Sequence, residues 1–269
     1  PYCQILQWQY ATRQEVGSSL QNQCCKMKQK YNLEIAAFSL TAAVEAFKSG
    51  AQRIELCENP HEGGTTPSYG MMATAKKLIN IPIFPIIRPR GGHFVYSKSE
   101  REVIKQDIRI CNELGFSGIV VGLLNEKGQV DIKNLKSMVK CAYPMQVTFH
   151  RAFDRAKNPI RAIDEIIDCG CHRILTSGQY PSVSDGKENV RILVEKSKGK
   201  IVVMPGSGLN SQNLKEIAKY TGAYEFHTAA RKTTFNKKSF SPKTMNEKMS
   251  YTSVDKKEIQ KLLKILSEL

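Results

Sequence analysis

Long apolar runs are absent: no stretch of the 269 residues approaches the ~18 apolar positions that a membrane-crossing helix requires. The first twenty residues also lack a basic start followed by a continuous apolar segment, so no secretory signal is read there. Cysteine occurs eight times (positions 3, 24, 25, 57, 111, 141, 169 and 171), without the density or turn-rich context of a disulfide-stapled domain. Several of these thiols fall inside apolar stretches, where a free cysteine packs as a small hydrophobe. That usage points to a reducing compartment, cytoplasm or nucleus. No GxGxxG follows the first strand-like segment, so the usual opening of a dinucleotide-binding sheet is missing.

Acidic residues are scarce beside basic ones, 25 against 40, for a formal charge of +15. Such an excess can advertise nucleic acid. Its distribution argues otherwise: residues 1–30 hold four basic and one acidic side chain and residues 231–269 hold ten and four, so the two ends supply +9 of the total. Solvated tails show this pattern, and nucleic acid is not the expected partner.

What the chain has in quantity is alternation. Strand-like runs are LEIAAF (33–38), RIELCE (53–58), IPIFPIIR (81–88), GIVVGLL (118–124), MQVTFHRA (145–152), HRILTS (172–177), KIVVMPG (200–206) and AYEFHTA (223–229). Helical stretches with capping residues lie between them: Ser39 or Thr41 before a run ending at Gly50, Ser97 or Ser99 before one closed by Gly115, Asp131, Asn158–Pro159, and Asn210 or Ser211. A last amphipathic stretch, DKKEIQKLLKILSEL, ends the chain. Strands alternating with helices imply parallel pairing, and eight such units predict a single-domain (β/α)8 TIM-type barrel over residues 31–269. An open doubly wound sheet is the alternative. Residues 1–30 read as a flexible extension, and roughly 231–251 as a long polar loop.

Strand parity sends Ile54 and Leu56 toward the helices and Glu55 and Cys57 toward the barrel axis. By the same rule Glu34, Ala36, Arg88, Thr148, His150, Glu225 and His227 face inward, which is more polarity than a packed barrel core of Val, Ile and Leu carries. Buried charges need partners or a wet cavity. One such residue alone reads more readily as a structural ion pair. Together, Arg88, Arg90, His150, Arg151 and Asp154 predict a cationic pocket with a titratable base at the carboxyl end of the barrel, suited to a small anionic ligand. Glu34, Glu55, His150 and Asp154 are the candidates for acid–base chemistry; Arg88, Arg90, Arg151, Thr176, Ser177, Gly206, Gly208 and His227 are the candidates for binding. The loop PHEGGTTPS (60–68) could fold over a ligand, and PGSGLN (205–210) with HTAAR occupies the place where many barrels hold a phosphate. CGCH (169–172) has metal-ligand residues but falls on the opposite face.

In order, the motifs RIELCENPHEGGTTPS, IPIFPIIRPRGG, VTFHRAFD, RILTSG, IVVMPGSGL and EFHTAAR resemble the CutC family of copper homeostasis proteins over about residues 33–269. The resemblance implies a TIM-type barrel, a cytoplasmic and sometimes nuclear homo-oligomer, and copper handling through Cu(I). Cys57 is the implied metal ligand. Two departures stand out: Ala36 occupies the place of a strand-1 cysteine that family members commonly carry, and RPRGGH puts His93 where the family has an acidic residue. Met71, Met72, Met204 or a histidine would then have to complete a copper site. The polar positions Glu34, Glu55, Arg88, Arg90, His150, Arg151, Asp154, Thr176, Ser177 and His227 all match. The rival function is an enzyme acting on a small anionic, potentially phosphorylated, substrate.

Overall fold

The computed structural model describes residues 31–235, 240, 242–246 and 250–269; the expected flexible extension at 1–30 lies outside them. Eight parallel strands carry the architecture: β1 (Asn32–Ala37), β2 (Arg53–Leu56), β3 (Ile83–Pro85), β4 (Gly118–Val121), β5 (Gln146–Phe149), β6 (Arg173–Thr176), β7 (Val202–Pro205) and β8 (Glu225–Thr228). They form two four-stranded ladders, β3-β2-β1-β8 and β4-β5-β6-β7. A parallel bridge between Ile86 and Val120 joins the ladders on one side, and β7 lies alongside β8 on the other. The result is the expected TIM-type ring.

Helices α1 (Leu40–Lys48), α2 (Tyr69–Leu78), α3 (Lys98–Glu113), α4 (Ile132–Ala142), α5 (Pro159–Asp168), α6 (Lys187–Ser197), α7 (Leu214–Thr221) and α8 (Lys256–Ser267) surround it. Ser39, Asp131 and Asn158 cap α1, α4 and α5 as the sequence predicts, and Ser97 with Glu100 forms a reciprocal capping box on α3. α7 starts later than expected: Asn210 and Ser211 are held in turns, with the Ser211 amide and hydroxyl donating to Glu258 at 2.6 and 2.9 Å. α2 and α6 had no strong sequence signal. The polar segment expected as a loop contains an antiparallel hairpin, β9 (Arg231–Phe235) with β10 (Ser250–Val254).

The main apolar core is the annulus between strands and helices, including Ile54 and Leu56. A smaller cluster of Cys57, Phe84, Ile86 and Val120 sits elsewhere, on the residues whose parity turns them to the axis.

Candidate functional site

Inside the ring, the lowest level is a closed ionic network. Arg53 donates through Nε to Glu34 and through Nη2 to Glu225 at 2.6 Å; Arg173 donates through Nε to the same Glu225 oxygen at 2.7 Å. The Phe84 ring lies under both guanidiniums, at 5.2 and 5.5 Å. Gly118 makes this possible, because a Cβ there would come within 2.3 Å of the Phe84 ring. Arg53 shares the strand parity of Glu55, and that parity could have identified it.

Above the network stands His227. Its Nδ1 lies 2.7 Å from Glu34 and its Nε2 3.7 Å from Glu55. Burial opposes ionisation of Glu34, but the Arg53 charge and the His227 hydrogen bond overcome it and hold the carboxyl at about 2. His227 is raised: burial pulls it down, and the Glu34 hydrogen bond and Glu55 charge outweigh that. Glu55 is also raised, first by burial. The ionised Glu34 therefore fixes an Nδ1–H and leaves Nε2 on the side of Glu55, 3.7 Å from its carboxyl.

A cavity of about 720 Å³ lies at the carboxyl ends of the strands, within the range of small-ligand pockets. Glu55, Arg88, His150, Arg151 and His227 line it with Gly208; Phe38, Ile86, Leu175 and Leu209 supply apolar walls, and Arg231, Asp255 and Glu258 stand at its edge. Arg88 is 4% exposed and donates to the carbonyls of Glu62, Gly64 and Gly92. Those bonds pin the 60–68 loop in place. Among the described residues Arg88 makes no ion pair, and its Nε is buried without a hydrogen-bond partner. A buried cation without a counter-charge is costly, and an anionic ligand would supply one.

His150 was expected to serve as a base, and its surroundings give it a different role. Its Nδ1 accepts the Ala152 amide at 3.1 Å, so the ring proton sits on Nε2, which is buried and unpartnered. Burial, reinforced by the Arg88 charge, pulls its pKa down to about 3. The ring is a neutral donor. Gly122 makes room for it, since a Cβ there would fall 2.5 Å from Nδ1.

Several expected residues serve the scaffold. Asp154 accepts from the Thr176 hydroxyl at 2.5 Å, the Ser177 amide and hydroxyl at 3.1 Å, the Gln179 amide at 3.1 Å and Arg151 Nε at 2.8 Å. With its side chain 1% exposed and its oxygens occupied by these donors, Asp154 together with Thr176 and Ser177 ties the end of β5 to the end of β6 and orients Arg151. Arg90 turns away, bonding Glu100 at 2.5 Å and the carbonyls of His93 and Val95. Gly206 lies against His227, where a Cβ would come within 3.2 Å, and outside the cavity lining. Residues 169–172 build structure: Cys169 caps α5 and His172 Nδ1 accepts the Val147 amide.

Cys57, the expected copper ligand, is a buried thiol. It packs among Phe84, Ile86 and Val120, its sulfur lies 3.9 Å from the Glu55 carbonyl, and it is outside the cavity lining. Burial and then Glu55 push the thiol well above its usual range, whereas Cu(I) takes thiolate. Met72 is engaged by Cys111 at 3.8 Å, Met204 by Arg53 at 3.2 Å, and Met71 packs against the outer core. Among the described residues no group of three or more His, Cys, Asp or Glu is arranged to hold a metal ion. The donor set does not fit a Cu(I) centre.

The CutC family profile matches residues 31–232. The chain belongs to the CutC family. It is 45% identical over 201 residues to the copper homeostasis protein cutC homolog of Homo sapiens, covering 75% of this chain and 74% of that one. A family protein CutC from Chromobacterium violaceum is 46% identical over 199 residues, covering 74% and 81%. Among solved structures, a CutC from Streptococcus agalactiae superposes with a TM-score of 0.71 at 30% identity, over 74% of this chain and 98% of that one. Thiamine phosphate pyrophosphorylase from Pyrococcus furiosus, at 16% identity and a TM-score of 0.56 over 89% and 97%, shares the fold. Family membership relates the chain to copper homeostasis, and no helix among the described residues is long and apolar enough to cross a membrane.

Proposed function

We propose that this CutC-family chain acts through a small-molecule site at the carboxyl end of its barrel, binding an anionic ligand on Arg88 and moving a proton through His227 and Glu55, with Glu34 orienting the His227 ring. The observation that carries the reading is Arg88: a buried guanidinium facing a cavity, balanced among the described residues by backbone carbonyls and no carboxylate. His227 supplies the proton chemistry because Glu34 fixes its tautomer and leaves Nε2 beside Glu55 and the cavity. Arg151, already paired with Asp154, shapes the wall and adds little free charge. Calorimetric titration with pyruvate and with inorganic phosphate tests this. Arg88→Gln is expected to lose at least ~10-fold in affinity for the probe that binds, as loss of a charge-assisted contact implies; unchanged affinity refutes the anchor.

Similarity to the human copper homeostasis protein cutC homolog supports a second reading, in which the chain binds Cu(I) through Cys57. Titrating reduced protein against a competing Cu(I) chelator decides it, because loss of binding in Cys57→Ala is required. The burial of that thiol predicts indistinguishable curves. We also place the protein in a reducing, cytoplasmic setting as a homo-oligomer, supported for the compartment by its five free described cysteines. Fractionation of cells and light scattering on purified protein are the respective checks.

A further inference from the structure

We propose that Arg88, His150 and Phe94 form an oxyanion site, and that the cavity takes a small anionic carbonyl compound from which His227 removes a proton at the carbon next to the carbonyl. The inference rests on the preceding reading of the cavity as an anion-binding, proton-moving site and specifies its chemistry.

Geometry separates the two histidines into complementary roles. His227 presents Nε2 to the cavity with its other nitrogen held by Glu34 at 2.7 Å, the arrangement of a base with an orienting carboxylate. His150 carries an N–H instead, because the Ala152 amide occupies Nδ1; that donor is buried without a hydrogen-bond partner among the described residues, on a side chain of the cavity wall. Phe94 holds this donor and the cation together: its ring centre lies 5.0 Å from the His150 ring and 4.9 Å from the Arg88 guanidinium carbon. An uncharged N–H beside a fixed positive charge, facing a base, is what abstraction of a proton next to a carbonyl demands. In the step, the C–H bond breaks and its proton passes to Nε2 of His227. The electron pair forms a C=C bond and moves the carbonyl pair onto oxygen, and His150 and Arg88 hold the resulting enolate oxygen. The proton on Nε2 exchanges with solvent, and return of a solvent proton from Nε2 to the same carbon re-forms the C–H bond and the carbonyl, so the net reaction is hydrogen exchange at carbon. No oxidant or second substrate is consumed.

The test is hydrogen–deuterium exchange at carbon, followed by proton NMR in D2O, with pyruvate and dihydroxyacetone phosphate as probes and binding measured in parallel. Wild-type protein is expected to accelerate loss of the C–H signal of at least one probe. His150→Phe should lower that rate ~10²-fold or more, the usual cost of removing an oxyanion donor. His150→Gln, which keeps an N–H, should recover much of it, and His227→Asn should abolish exchange while the probe still binds. Circular dichroism confirms that each variant is folded. Protein that binds a probe but exchanges neither overturns the carbonyl chemistry and leaves the anion site standing; protein that binds neither overturns both. Equal exchange in His150→Phe and wild type removes His150 from the chemistry.

Discussion

At the floor of the barrel, Glu34, Arg53, Glu225 and Arg173 answer one another; at the carboxyl end, the side chains of Arg88 and His150 find only backbone hydrogen-bond partners among the described residues. Both regions bury charge or titratable groups in the same ring. The floor closes its account by salt bridges and so behaves as structure. The upper wall leaves a cation and a donor facing a cavity, and so invites a ligand. His227 spans the two, bonded downward to Glu34 and open upward beside Glu55.

The largest effect expected from breaking this contrast is at Arg53. Arg53→Ala strips a partner from both Glu34 and Glu225, leaving them His227 and Arg173 alone, and removing one member of a buried ion-pair network costs about 3–5 kcal/mol; urea denaturation measures it. Arg88→Gln withdraws donors from the carbonyls of Glu62, Gly64 and Gly92 but orphans no carboxylate, so its stability loss should stay at about 1–3 kcal/mol, below that of Arg53→Ala, while ligand affinity falls. Equal destabilisation by the two variants would erase the distinction between the levels.

Acid sharpens the comparison next. His150 sits at about 3 in the folded protein, facing Arg88, so as pH falls from 6.5 the unfolded chain takes up a proton that the folded ring refuses. Stability drops with falling pH, by up to about 3 kcal/mol between pH 6.5 and 4.5, and His150→Gln should flatten that slope. Glu34, depressed to about 2 between Arg53 and His227, contributes above the ordinary carboxylate pKa and loses that contribution as pH falls from about 4.5 toward 2. His227, raised by its carboxylates, has the opposite sign: its contribution is complete below pH 6.5 and fades as pH rises through its folded pKa. Urea midpoints across pH, for wild type and His150→Gln, read all three.

Asp154→Asn should cost about 1–3 kcal/mol, because Arg151 loses its charge partner and an NH2 group in place of Oδ2 no longer accepts from Arg151 Nε or the Ser177 hydroxyl. Thermal unfolding reports it. The smallest effect is at Arg90, whose bonds run to Glu100 and loop carbonyls outside the cavity; Arg90→Gln should leave ligand affinity within about two-fold.

The ring was legible because eight β-branched runs alternate with capped helices. α2 and α6 were not: α2 has a glycine at its second position, and α6 follows Gly186, an N-cap residue with no side chain to cap it. The β9–β10 hairpin was hidden for another reason. Strand β9 has no buried residue and hence no alternating apolar face to read. Inward parity placed Glu34, Glu55, His150, Glu225 and His227, and by the same argument would have placed Arg53. Parity could not separate Arg88 from Arg90, which lie beyond the end of β3 where the strand rule lapses. Nor could it reveal that Asp154 is saturated by donors from the loop after β6, or that a backbone amide two residues on fixes the His150 tautomer.

The most direct measurement is nitrogen-15 NMR of the histidine side chains during titration with pyruvate and dihydroxyacetone phosphate. The account predicts a neutral, Nε2-protonated His150 and a saturable shift of the His150 and His227 signals with at least one probe, lost in Arg88→Gln and kept in Arg90→Gln. A charged His150 near pH 7, or titrations that are the same with and without Arg88, would contradict it.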